Sequence, residues 1–100
     1  MKQIQATVHG RVQGVFFRQH TRMEAQRLGL KGWVRNEPDG TVRVAAVGAE
    51  DILKEFIEFL HRGSPGAQVS QVDVDWSDAA QDFAAQDFAA QDFKGFDVRW

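Results

Sequence analysis

The sequence predicts an α+β fold, one sheet covered by two helices, on three observations. Short segments alternate apolar and polar residues at the period of a strand, two further segments carry apolar residues at the spacing of a helix face, and glycine-containing turns separate them. Read along the chain, the order is strand, helix, strand, strand, helix, strand, with a short fifth strand at the end.

Ile4, Ala6 and Val8 alternate with polar residues and give the first strand a core face. A glycine-punctuated stretch, Gly10 to Arg18, follows directly. From Phe17 to Leu28 the spacing of Phe17, Thr21, Ala25 and Leu28 marks one face of a helix, which Gly29 is suited to stop. Trp33-Val34-Arg35 and Val42-Arg43-Val44 flank Asn36-Glu37-Pro38-Asp39-Gly40, whose Pro, Asp and Gly form turns, so this stretch reads as a hairpin. After Gly48, the residues Ile52, Leu53, Phe56, Ile57 and Leu60 mark a second helix. Glu50 and Asp51 sit in its first turn, and Gly63 and Pro65 end it. Val72, Val74 and Trp76 alternate as a fourth strand, and Phe96, Val98 and Trp100 as a fifth. This is the split βαβ pattern of a ferredoxin-like βαββαβ sandwich. It predicts an antiparallel sheet of four to five strands with both helices on one face.

A chain of 100 residues is expected to form one domain, spanning 1–100. With 12 basic against 14 acidic residues, it lacks the broad positive footprint of a nucleic-acid binder. It has no cysteine, hence no disulfide framework and no thiolate chemistry, which suits a reducing compartment. The segment Met1-Lys2-Gln3-Ile4-Gln5 lacks the apolar core of a signal peptide, and no run reaches membrane-spanning length. The expectation is a soluble cytoplasmic protein with no nucleic-acid or membrane partner. A monomer is expected, with a strand-exchanged dimer as the alternative.

Residues Ala79 to Phe93 are three copies of Ala-Ala-Gln-Asp-Phe, a tandem repeat inserted between the fourth and fifth strands at 79–93. A five-residue period suits neither regular element: along a helix successive phenylalanines fall about 140° apart, and along a strand they alternate sides. The repeat is therefore read as a loop extension without a function of its own. An added helical turn, a sticky surface or a hinge for strand exchange are the alternatives.

The chemistry concentrates in Gly10-Arg11-Val12-Gln13-Gly14-Val15-Phe16-Phe17-Arg18. The glycines let successive N–H groups converge, the helix beginning near Phe17 adds its positive dipole end, and Arg18 brings a planar fork of donors suited to phosphate oxygens. A plain strand-to-helix turn, with Arg18 paired to a surface carboxylate, is the competing reading. Asn36, at a strand end, is either a turn former or an amide able to orient a water beside a bound phosphate. His9, His20 and His61 lack metal-ligand spacing and read as solvated or structural, with His20 nearest the glycine turn in sequence. Trp33, Trp76 and Trp100 read as sheet packing; a nucleic-acid platform would instead need aromatics side by side on the open sheet face, with basic neighbours.

Two stretches together resemble the acylphosphatase family. Gly10 to Arg18 resembles its phosphate-loop signature throughout, and Gly32-Trp33-Val34-Arg35-Asn36, followed by Gly40, Val42 and Gly48, resembles its second signature. The resemblance extends to the remaining strands and the second helix and is expected to fail only at the repeat. It implies hydrolysis of acyl phosphates to carboxylate and inorganic phosphate, without metal or other cofactor. By this resemblance Arg18 holds the phosphoryl group and Asn36 positions the attacking water, so Arg18 and Asn36 are the catalytic pair. The main chain of Gln13, Gly14, Val15, Phe16, Phe17 and Arg18 is then placed to receive the phosphoryl oxygens. Inorganic phosphate or sulfate would compete as an anion. A non-catalytic ferredoxin-like module that binds an anion or a regulatory partner is the alternative.

Overall fold

The computed structural model describes residues 1–78 and 95–99; the repeat at 79–93 and Trp100 lie outside the described residues. The elements are β1 (Lys2–Arg11), α1 (Phe17–Arg27), β2 (Lys31–Asn36), β3 (Val42–Gly48), α2 (Glu50–Arg62), β4 (Gln68–Asp78) and β5 (Phe96–Arg99). Every element predicted from apolar spacing forms, and β2 and β4 run longer than their most strongly patterned residues.

The strands lie in the order β4-β1-β3-β2-β5. β1 pairs antiparallel with β3 and β4, and β2 pairs antiparallel with β3. β5 departs from the expected antiparallel sheet by pairing parallel with β2, through Gly32↔Phe96 to Arg35↔Arg99. The reason is topological. β4 occupies one edge and runs against β1, so a chain that reverses after β4 and docks at the far edge runs in the direction of β1, which is also that of β2.

Strand alternation assigns the two faces. Ile4, Ala6, Val8, Val34, Val42, Val44 and Ala46 point to one side and bury completely with Phe17 and Ala25 of α1 and with Leu53, Phe56 and Leu60 of α2. Both helices therefore cover that face. In α1, Phe17, Thr21 and Ala25 turn inward at successive intervals of four, while Leu28 caps the helix and is half-buried. In α2, Glu50 and Asp51 in the first turn and His61 and Arg62 in the last complement the helix dipole. Phe56 meets the edge of the Phe96 ring at a centroid distance of 5.9 Å, which ties β5 to the core.

On the opposite face Trp33 is buried beside Ala45 and Val47. The guanidinium groups of Arg35 and Arg99 lie over its ring at 4.7 and 4.9 Å. Trp76 pairs across from Ile4 and so belongs to the helix side, at the edge strand. The two described tryptophans thus stand on different faces and make no side-by-side platform. Among the described residues, no helix is long and apolar enough to cross a membrane.

The β1–β4 register slips between His9 and Gly10. Gly10 adopts φ +119°, and a Cβ there would collide with the carbonyl of Gln68. Such an irregularity bends the end of a strand; here it launches the chain from β1 into the turn that precedes α1.

Candidate active site

The turn between β1 and α1 alternates in hand. Gly14 has φ +75° and Phe16 φ +59°, with no positive φ at Val15 between them. Alternation of this kind brings successive N–H groups to one side of the chain. Phe16 is the N-cap of α1 and makes no side-chain capping bond, and no acidic residue sits in the first turn. The first intrahelical bond closes from His20 to the carbonyl of Phe16. The early amides of α1 therefore keep their donors for another acceptor, at the positive end of the helix.

Two side chains hold the turn from behind. The Gln13 amide donates to the carbonyls of Glu37 and Thr41 at 2.8 and 2.9 Å, which fastens the turn to the β2–β3 hairpin. The Ser64 hydroxyl, just past α2, donates to the Val15 carbonyl at 2.8 Å. The hairpin is itself braced, since Asp39 accepts from both the hydroxyl and the N–H of Thr41. Those bonds hold the Asp39 carboxyl below its ordinary value, the hydroxyl contributing most.

A cleft of about 640 Å³ opens in front of the turn, lined by Gly14, Phe16, Phe17, Arg18, Asn36, Arg22 and Val98 among others. Arg18 is half-buried, and its Nη1 donates to the main-chain carbonyl of Arg99 at 3.0 Å, so the last strand helps to aim the guanidinium. Asn36 is two residues past Val34 and shares its face of β2, the face toward α1. Its Oδ1 is buried without a hydrogen-bond partner among the described residues. A buried acceptor left open is costly and calls for a donor from outside the chain, such as water.

Of the residues singled out from sequence, Gly14, Phe16, Phe17, Arg18 and Asn36 are brought together in the cleft wall. Gln13 and Val15 stand behind it, Gln13 turned to the hairpin and Val15 packed against the core. His20 does not line the cleft, and His9 instead meets Asp73 at 2.9 Å on the sheet surface. Arg22, Asp97 and Ser64 were not singled out from sequence. Arg22 was within reach of helical spacing, one turn beyond Arg18. Nothing local marks Ser64, whose partner is 49 residues away. Among the described residues, no group of three or more His, Asp or Glu side chains is placed to hold a metal ion.

An α+β sheet that brings an arginine, uncapped helix donors and an asparagine with a buried, unpaired carbonyl to the wall of one cleft is of the oxyanion-handling class. Comparison with known proteins narrows the class. The acylphosphatase family model matches residues 4–90, a span that runs into the repeat, where the resemblance was expected to fail, and stops before β5, which the resemblance was expected to include. An acylphosphatase of Salinibacter ruber is 55% identical over 82 residues, covering 82% of this chain and 86% of the relative. One from Rubrobacter xylanophilus is 41% identical over 98 residues, covering 98% of this chain and 80% of the relative. The crystal structure of the Bacillus subtilis acylphosphatase superposes with a TM-score of 0.85 at 35% identity, each chain covered completely. The chain belongs to the acylphosphatase family, enzymes that act on small-molecule acyl phosphates.

Proposed function

We propose that this enzyme hydrolyses acyl phosphates by placement and charge alone, with no metal, using Arg18 and Asn36 against a main-chain cradle. The main-chain amides from Gln13 to Arg18 take the phosphoryl oxygens, and the Arg18 fork balances the charge spread over them in the transition state. Asn36 Oδ1 accepts a hydrogen bond from the attacking water and fixes its approach. The water oxygen bonds to phosphorus as the phosphorus–oxygen bond to the acyl group breaks. The electron pair leaves with the carboxylate, and the water's proton passes to a phosphoryl oxygen of the substrate. A carboxylate is a good leaving group, so the reaction places little demand on a general base.

The observation that supports this reading is the meeting of Arg18, the α1 amino-terminal end and Asn36, whose buried Oδ1 has no partner among the described residues, at one cleft. Simple capture of an anion has no use for an unpaired acceptor beside it. We take residues 1–100 as one domain with the 79–93 repeat as an insertion. The test is release of carboxylate and phosphate from benzoyl phosphate in excess chelator, by the intact chain and by Asn36→Ala. Metal-free turnover that Asn36→Ala loses while still binding inorganic phosphate is the expected result. Turnover that the chelator abolishes would refute the mechanism, as would full activity in Asn36→Ala.

A further inference from the structure

We propose that Phe16 is the contact for the acyl group and tunes the cleft toward substrates with a flat, apolar acyl part. The inference rests on the preceding reading, in which the phosphoryl group occupies the turn. Phe16 is 77% exposed, and among the described large apolar side chains only Met1 is more so. It also holds the only positive φ of any described residue other than glycine. A left-handed conformation is strained for any residue that carries a Cβ. One residue thus carries two unfavourable features, an aromatic ring in water and a strained main chain. Residues held so at a cleft are characteristically functional.

The neighbours explain how the ring is displayed. Phe17 is buried in the core and Val15 packs against it, so the chain on either side is pinned and the ring between them lines the cleft. Val98 adds a half-buried apolar side chain to the same wall. With the phosphoryl oxygens on the amides and water entering beside Asn36, in-line displacement sends the acyl group away from the water. It leaves along the remaining lining of the cleft, where Phe16 is the large apolar surface. An aromatic acyl group covers that ring and removes its face from water; an acetyl group is too small to do so.

The experiment compares benzoyl phosphate with acetyl phosphate in the intact chain, Phe16→Gly and Phe16→Leu, with inhibition by inorganic phosphate as the control. Removing the ring is expected to lower kcat/KM for benzoyl phosphate about tenfold, mainly through KM, as for loss of a comparable apolar contact. Because the Phe16 amide belongs to the cradle, any disturbance there falls on both substrates alike, so the readout is the ratio of kcat/KM for benzoyl over acetyl phosphate, which Phe16→Gly should lower about tenfold and Phe16→Leu should partly restore. Glycine accepts the left-handed conformation, so Phe16→Gly should unfold no earlier than the parent. Equal loss for both substrates, or no change for either, would overturn the role of Phe16 and leave the hydrolytic reading intact. Failure of the intact chain to turn over either substrate would overturn both.

Discussion

The side-chain amide of Gln13 donates to the carbonyl of Thr41 at 2.9 Å, joining the turn before α1 to the hairpin that carries Asn36. Its second bond, to Glu37 at 2.8 Å, falls on the residue next to Asn36. The two halves of the cleft are therefore set against each other by one amide.

Gln13→Ala should lose both bonds while each carbonyl keeps a backbone donor, Gly40 to Glu37 and Glu37 to Thr41, so the cost is that of two hydrogen bonds, about 1–3 kcal/mol in all. Because the mutual placement of turn and hairpin is what loosens, kcat should fall more than phosphate affinity, by about tenfold or more. Urea unfolding and steady-state kinetics on the same variant check both statements. Retained kcat with lost stability would make Gln13 a purely structural tie.

Arg18→Lys should bind phosphate more weakly and turn over poorly even though charge is kept. An ammonium cannot both meet the Arg99 carbonyl and present two parallel donors to a phosphoryl group. Arg18→Ala should lose phosphate binding and turnover together, in contrast to Asn36→Ala. Phosphate titration by calorimetry separates these cases.

Ser64→Ala removes the donor to the Val15 carbonyl and should cost about 1 kcal/mol, with weaker inhibition by phosphate because the turn loses its rear support. Paired thermal melts and phosphate inhibition constants test it. A variant that melts early yet binds phosphate normally would show the turn to be held well enough by Gln13.

Much of this fold was legible because its signals are local. The alternation of Ile4, Ala6 and Val8, and the spacing of Phe17, Thr21 and Ala25, each point to a face without reference to anything distant. Gly14 and Arg18 were legible for the same reason, since turn, helix start and charge are contiguous. Asn36 was ambiguous by its own residue type and gained a chemical sense only from its neighbours in the two motifs. What stayed hidden was long-range pairing. Neither the parallel docking of β5 on β2 nor the bond from Arg18 to Arg99 leaves a periodic trace, because each depends on which edge of the sheet a late segment reaches.

Acid should weaken an ion pair within α1. Arg27 of α1 meets Glu24 at 2.7 Å and Glu55 of α2 at 3.3 Å, and the bond from Arg27 holds the Glu24 carboxyl below its ordinary value. A carboxyl depressed in the folded state contributes stability above its unfolded pKa and loses it as pH falls through the folded value. Glu24→Gln should therefore lower the urea midpoint slightly at neutral pH and match the parent in strong acid. A difference that persists unchanged at low pH would mean that Glu24 stabilises α1 by packing instead.

The carbonyl that aims Arg18 belongs to Arg99, on a strand placed at the sheet edge by Phe96 against Phe56 and by the Arg99 guanidinium stacked on Trp33. On a ribosome, the turn and Asn36 emerge early and can settle onto β1, β3 and the helices before this strand exists. The nascent enzyme is then a folded but unfinished catalyst, and it acquires full competence only once β5 has been made and has docked on β2.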